Sequence, residues 1–557
     1  MKRGAGSLLF SGAALTTLAT IWGPALAQTS PYIIDQDRID RAAPEPTPAP
    51  QVDELRGRET IDETTPAHPG ATATADLRAV NIRGSSLPPA LLERAWSAEV
   101  GGPLDSARIA RISDAITALY RDSDIALFTV IAPAQDLNDG VLDLYIAEGR
   151  VAGVLVQTDH AESRDIALIR AYAARLVSVR PLSRAALERQ LSLSREIPGQ
   201  SVEASFVPIS RNSNQVRLVI TARRNRADFG VALSHRPTPL LGDTQVNADL
   251  SLNGWLRGGD RLGLALSTSA QNDLFRYYGL SYSTPVGHNG WRAALNLSSL
   301  TTEPDIAPTQ GTANSAAFVV SYPLLRSVMR NTTVSFGVDA LDTENSVFGQ
   351  ALDSSRTRVL RSSLSHSRQN NRRAIAGTAS FSLGLDSLGA RVDPLTGDAD
   401  FMKLTGQGSW TRVLTERALL RVRTQAQISG DRLPTSERFA LGGEQYGRAF
   451  ASGLVQGDQG IAASAEAAYR PRLQFAPRLA GSEAYAFVDG GTVWVRERTL
   501  SPSTDESLSS YGAGVRISLG RSLSMGIEIA RPIDSPATDT EDDDWRLTYS
   551  IRARDAR

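Results

Sequence analysis

From about Asp228 onward the polarity of the chain alternates residue by residue. Leu420, Val422, Thr424, Ala426 and Ile428 interleave with Arg421, Arg423, Gln425, Gln427 and Ser429. Ile461, Ala463, Ala465, Ala467 and Tyr469 interleave with Ala462, Ser464, Glu466, Ala468 and Arg470. Leu262, Leu264 and Leu266 repeat the pattern, as do Ile527 and Ile529. A period of two puts successive side chains on opposite faces of a strand, so one face is apolar and the other carries charge. Soluble sandwiches alternate too, in strands of about five or six residues. The segments here run to about 10 to 14, the length a tilted membrane strand requires. About sixteen follow one another, an even number as bacterial barrels prefer. Their centres lie near Val231, Ala248, Leu264, Gly279, Leu295, Val319, Phe336, Leu360, Thr378, Gly406, Val422, Ala465, Phe487, Val515, Ile527 and Thr548. An open sheet would leave edge amides without partners in hydrocarbon, so this one must close. The alternation predicts an all-β transmembrane barrel of 16 antiparallel strands over 226–557.

The N-terminus reads as an address. Lys2 and Arg3 precede a mostly apolar stretch from Leu8 to Ile21, and Ala25-Leu26-Ala27 fits a small-x-small cleavage site. A signal peptide is expected over 1–27. No later run approaches 18 consecutive apolar residues, so no helical span is expected. In the extension 28–75, Tyr32 to Ala43 can form a short helix with Ile33, Ile34 and Ile39, and Pro44 to Pro50 is a polyproline-type spacer. The 557 residues contain no cysteine, which excludes a disulfide scaffold, a thiolate zinc site and a cysteine nucleophile. The five histidines include no metal-ligand spacing, and a net charge of -1 argues against nucleic-acid binding. There is no Gly-x-Ser-x-Gly and no phosphate-binding loop, so neither an enzyme nor a cofactor is expected. The acidic run Asp539, Glu541, Asp542, Asp543 and Asp544 reads as a solvated loop.

Between address and barrel lie two small α+β modules, 76–149 and 150–225, repeating at about 73 residues, too long for a simple solenoid. In the first, Leu77 to Ile82 reads as a strand and Pro88-Pro89 opens a helix through Ala98. Asp105 caps a second helix with Ile109, Ile112, Ile116 and Leu119 on one face. Ile125–Ile131 and Val141–Ile146 are strands around the turn Asn138-Asp139-Gly140. In the second, Val151–Val156 is a strand, and helices are expected over Ser163–Leu176 and Pro181–Ile197, the latter capped by Ser183 and stopped at Pro198-Gly199. Val202, Ala204 and Phe206, then Val216, Leu218 and Ile220, alternate on two further strands.

The longest loop of the barrel region, about 430 to 460, is irregular in pattern and holds Leu441-Gly442-Gly443-Glu444-Gln445-Tyr446-Gly447-Arg448-Ala449-Phe450. The loop's Gly442, Gly443 and Gly447 permit close backbone approach. Its cation, Arg448, needs a fixed anion, and arginine can hold a carboxylate through two parallel hydrogen bonds. Two segments later, Phe487, Asp489 and Gly491 share one strand face, and the aspartate marks that face as lumenal.

These features together resemble a known family. Asp139-Gly140-Val141-Leu142-Asp143-Leu144-Tyr145-Ile146-Ala147-Glu148-Gly149 is similar to the end of a polypeptide-transport-associated (POTRA) domain. Leu187-Glu188-Arg189-Gln190-Leu191 through Ile197-Pro198-Gly199 is similar to a second one. The whole resembles the TpsB transporters of two-partner secretion, the haemolysin secretion/activation type, within a POTRA-plus-barrel superfamily. In that superfamily the sixth extracellular loop folds into the lumen with a Val-Arg-Gly-Phe/Tyr motif that meets a wall motif, Phe-x-Asp-x-Gly. Arg448 and Phe450 match the loop motif, with Gly447 in place of valine and Ala449 in place of glycine, so a looser hairpin is expected at Ala449. Phe487, Asp489 and Gly491 match the wall motif in full. The resemblance implies an outer-membrane protein whose periplasmic POTRA domains bind an unfolded partner exoprotein and pass it out through the barrel. It further implies outer-membrane lipid around the wall and the barrel assembly machinery as a partner in biogenesis, with an assembly signal that is internal or atypical, because the chain ends Asp555-Ala556-Arg557 rather than in an aromatic residue. The alternative is an outer-membrane assembly or insertion factor of the same superfamily. A passive porin would account for the barrel but not for the two modules.

Overall fold

The computed structural model describes residues 75–555 except 159–162, 211–213, 239–241, 271–273, 305–308, 473–476, 480, 500–501, 521, 537–538 and 540–543. The expected signal peptide, the Tyr32–Ala43 helix, the proline spacer and most of the acidic run lie outside the described residues.

The first module orders β1 (Ala79–Arg83), α1 (Pro89–Trp96), α2 (Ser106–Asp122), β2 (Phe128–Ile131) and β3 (Val141–Glu148). β3 is central, parallel to β1 and antiparallel to β2. The Asp105 carboxylate accepts from the Arg108 amide at 2.8 Å, the expected cap. Ile109, Ile112 and Ile116 pack with Leu142, Leu144 and Ile146 in the core. The second module repeats the topology with β4 (Arg150–Thr158), α3 (Arg164–Ala174), α4 (Arg184–Arg195), β5 (Gln200–Pro208) and β6 (Gln215–Arg224), ordered β4-β6-β5. Ser163 and Ser183 cap its helices. The strand expected from Ile125 begins only at Phe128, because the residues before it serve the neighbouring module. Ala126 donates its amide to Leu182 O at 2.8 Å, Ser183 Oγ donates to Asp124 at 2.5 Å, and Ala126 and Leu127 are buried in the second core. The two modules are thereby welded by backbone and by shared apolar packing.

Sixteen antiparallel strands then close into a barrel. They are β7 (Ala227–Thr238), β8 (Gly242–Asn253), β9 (Arg261–Ser269), β10 (Phe275–Val286), β11 (Trp291–Thr302), β12 (Thr309–Arg326), β13 (Arg330–Val347), β14 (Gln350–Asn370), β15 (Arg373–Gly384), β16 (Met402–Val413) and β17 (Ala418–Ser429), and, after a long loop carrying β18 (Phe439–Leu441) and β19 (Val455–Gly457), β20 (Gln459–Tyr469), β21 (Glu483–Val495), β22 (Thr504–Leu519), β23 (Leu523–Asp534) and β24 (Arg546–Arg554). Every expected segment centre falls within its own strand. β12, β13, β14 and β22 run longer than the alternation suggested, at 18, 18, 21 and 16 residues. Closure comes from β24 against β7, between Tyr549↔His235 and Arg554↔Gly230, with the His235 ring stacked on Tyr549. Outward residues such as Leu266, Phe336, Ile428 and Ile527 are exposed apolar side chains, whereas Gln427, Ser464 and Glu466 on the opposite faces are buried inside. Among the described residues no helix is long and apolar enough to cross a membrane.

The second module is fastened to three barrel turns. Asp165 on α3 accepts from the Gly259 amide at 2.7 Å and pairs with Arg224 at 3.2 Å. Arg164 donates to Leu256 O in the same turn. Arg189 on α4 donates to Pro323 O, Asn289 O and Tyr322 Oη, and Glu196 pairs with Arg326 at 2.7 Å. These turns join β8 to β9, β10 to β11 and β12 to β13, so they share the barrel end that the modules occupy. The long loop between β17 and β20 arises from the opposite end and is the sixth connection there.

Candidate functional site

The loop between β17 and β20 is less irregular than its sequence suggests. β18 and β19 form a short antiparallel hairpin that carries the Gly442–Phe450 segment at its end. Gly442, Gly443 and Gly447 all have positive φ, at 100°, 103° and 77°, and a Cβ on Gly442 would meet Ala451 O at 2.1 Å. The segment folds on itself: Gly442 N donates to Tyr446 O, Gly443 N to Gly447 O, and Phe450 N to Gly447 O at 2.9 Å. Alanine stands at 449 where the family motif has glycine. The left-handed conformation falls on Gly447 instead, and Ala449 needs no positive φ. Phe439, Leu441, Tyr446, Ala449 and Phe450 pack against Tyr485, Phe487, Val493 and Leu508 of the wall. Burial there pushes the Tyr446 hydroxyl up to about 12, so it stays neutral.

The loop and wall residues meet. Arg448 is 3% exposed, with Nε 3.1 Å from Asp489 Oδ2 and its guanidinium carbon 4.0 Å from the Phe487 ring centre. The expected two-pronged grip on a single carboxylate does not form. Nε touches Asp489 as a charge contact, outside hydrogen-bond geometry. Nη1 reaches Glu466 Oε2 at 3.3 Å and Glu528 Oε2 at 3.0 Å, and Nη2 donates to Ser464 Oγ at 3.2 Å. Asp489 turns its other oxygen to the loop backbone and to β22. Oδ1 accepts from Gly447 N at 2.9 Å, Arg448 N at 3.4 Å and Ser510 Oγ at 2.5 Å. Gly491 follows on the same face, where a Cβ would meet Ile461 O at 2.4 Å and Leu441 at 3.0 Å, so glycine lets the hairpin lie against the wall.

Four of these partners, Ser464, Glu466, Glu528 and Ser510, were not singled out from the sequence. Glu466 is the one acid on the polar face of its strand, Glu528 sits between the lipid-facing Ile527 and Ile529, and Ser510 is an unremarkable serine on β22. For the two glutamates the signal is an inward acid on an alternating strand, and for Ser510 there is none. Glu466 is also held by Arg421 and Arg516, which share Glu483, forming a ladder of alternating charge on the inner wall. The site binds chain to chain. Among the described residues no group of acids and histidines is arranged to hold a metal.

Residues 214–517 match the family model of the haemolysin secretion/activation protein ShlB/FhaC/HecB, and residues 75–149 match the ShlB-type POTRA domain. An outer membrane transporter CdiB of Dickeya dadantii is 26% identical over 427 residues, covering 72% of this chain and 73% of the relative. Another from Escherichia coli O6:K15:H31 is 22% identical over 557 residues, covering 95% and 90%. The solved structure of CdiB from Escherichia coli superposes with a TM-score of 0.69 at 18% identity, covering 99% of this chain and 100% of that one. BamA from Haemophilus ducreyi superposes less closely, with a TM-score of 0.52 at 14% identity over 87% of this chain and 100% of that one. At these identities the structural likenesses speak for the fold alone.

Proposed function

The chain belongs to the haemolysin secretion/activation family ShlB/FhaC/HecB, and from that premise we propose how it moves a partner exoprotein across the outer membrane. The barrel lies in that membrane, and the POTRA domains lie in the periplasm. The client meets the POTRA sheets first. Their outer strands, β1 and β2 in one and β4 and β5 in the other, each have one edge without a strand partner among the described residues, and an extended chain can add to such an edge. The clamp of α3 and α4 on the barrel turns keeps that edge at the pore entrance. The client then passes through the lumen, and folding outside supplies the drive without a nucleotide. In the resting state the loop carrying Arg448 occupies the lumen, with Gly442, Gly443 and Gly447 shaping it and Phe450 packing it onto Phe487, Asp489 and Gly491. The observation that carries this reading is the buried Arg448 network, which ties one loop to four wall strands, β20 to β23.

The test is quantitative proteomics of culture supernatant and outer membrane, with and without this protein. Loss of one or two large exoproteins from the supernatant, with the outer membrane unchanged, is the expected result and identifies the client. Broad depletion of outer-membrane barrels would instead make it an assembly factor, the role that its weaker likeness to BamA keeps as the second reading.

A further inference from the structure

Arg448 fastens the loop to one sector of the wall. The other limb of the same loop carries an acid that this gating contact does not use. Glu437 ends a short 3-10 helix, Thr435–Glu437, and is 4% exposed. Its Oε1 accepts from Arg361 Nη2 of β14 at 2.6 Å, and its Oε2 lies 2.7 Å from Lys403 Nζ of β16. The backbone is held as well. The Glu437 carbonyl accepts from Lys403 Nζ at 2.8 Å and from Gln427 Nε2 of β17 at 3.0 Å. The two cations are fixed from behind, Arg361 by Asp339 of β13 and by Ser382 Oγ at 2.9 Å, Lys403 by Gln427 Oε1 at 3.4 Å. A mere loop charge would face water. This one is buried between two cations drawn from separate strands.

We propose that Glu437 is a second latch, pinning the loop to the β13–β16 sector of the lumen while Arg448 pins it to the β20–β23 sector. The loop is then a strap across the pore, joined to the wall on both sides of its own root at β17 and β20, and a passing client has to release both ends. The idea rests on the reading that this loop gates the pore. Glu437 acts by positioning the loop and does not touch the client.

The test is conductance of the purified full chain in planar lipid bilayers, with Arg448→Ala as the reference variant. Glu437→Gln keeps the shape and removes the charge. It is expected to raise the open fraction by at least about tenfold, equivalent to ~1.4 kcal/mol, while the heat-shifted gel band of the folded barrel stays unchanged. Glu437→Asp, which keeps the charge, should recover part of the closure. The chain has no cysteine, so Glu437→Cys with Lys403→Cys places the only two thiols. Bridging them with a bis-maleimide should restore the closure that the double substitution loses. If Arg448→Ala opens the pore and Glu437→Gln does not, the second latch is overturned and the gating reading stands. A bridged pore as open as the unbridged one overturns the latch as well. If neither single substitution changes the open fraction, the gating reading falls and takes the latch with it.

Discussion

Arg448 stands among three carboxylates, but they do not depend on it equally. Glu466 keeps Arg421 and Arg516 when Arg448 is gone, whereas Asp489 loses the cation that faces it. Breaking a buried pair by removing one partner costs about 3–5 kcal/mol, enough to free the loop but not to open a sixteen-strand hydrogen-bonded wall. Arg448→Ala should therefore cut export of the client several-fold while the barrel stays inserted and keeps its heat-shifted band; unchanged export would sink the gating role. Asp489→Asn should be milder, because an amide oxygen can still accept from Gly447 N and Ser510 Oγ. Glu437 gives the loop a pH dependence. Burial alone would raise its carboxyl, but Arg361 and Lys403 outweigh burial and bring it down to about 2, with Asp339 the other charge facing the cluster, from behind Arg361. That lies below the ordinary carboxylate value of about 4.3, so the seated loop binds fewer protons than the released one. Its contribution is complete above that ordinary value and is lost as pH falls from about 4 towards 2. Conductance should stay low and flat from pH 7 to pH 5 and rise below about pH 4. The acid-dependent part should shrink in Glu437→Gln, leaving what the carboxylates around Arg448 contribute, and a wild-type profile that is flat to pH 2 would count against the assignment.

At the scale of elements, the proposed function has the clamp between the second POTRA domain and the barrel set where a captured client is presented. Arg189 holds two turns at once, through Asn289 O on one and Pro323 O with Tyr322 Oη beside the other. Arg189→Ala removes those bonds and leaves α4 intact, because Arg189 lies on its outer face. Amide exchange should rise in the 287–290 turn and export should fall, while binding of the client to the POTRA domains is retained; exchange no faster than wild type would show that Asp165 and Glu196 hold the joint without it. This clamp was not legible in the sequence. Leu187-Glu188-Arg189-Gln190-Leu191 reads as an amphipathic helix, and nothing local says that Arg189 reaches 100 residues on to the carbonyl of Asn289 in one turn and 134 residues on to that of Pro323 near the end of β12. The strands were legible because membrane burial enforces a period of two over a whole span, so Leu420 to Ser429 declares both faces at once. The loop and wall motifs were legible as types, an arginine among glycines and an aspartate on an inward face. Their partners Glu437, Arg361 and Lys403 were not, because an ion pair between distant strands leaves no spacing to read.

At the scale of the molecule, the proposed function has the resting pore closed by chain that belongs to the protein itself, which makes closure an intramolecular equilibrium. On that reading the loop between β17 and β20 is one contributor, and most of its hydrophobic contacts lie on the β20–β23 side, around Phe439, Leu441 and Phe450, while Leu433 packs with Val359 of β14 and Phe401 on the other side. The sequence supplies a second candidate, Tyr32 to Ala43, a short segment with Ile33, Ile34 and Ile39 tethered by the proline-rich stretch before the first POTRA domain. A tethered segment acts at a high effective concentration, so even weak seating in the lumen would be populated, and the length and composition of the tether set how far it can reach. Deleting 32–43 should then raise conductance in planar bilayers and leave the Arg448 contact in place, so the deletion and Arg448→Ala should open the pore further together than either does alone. A deletion with wild-type conductance would make the segment a tail and leave the loop as the gate. A deletion that opens the pore as far as the pair of changes together would mean that the loop seats only behind the segment, and the two would then act as one element rather than two.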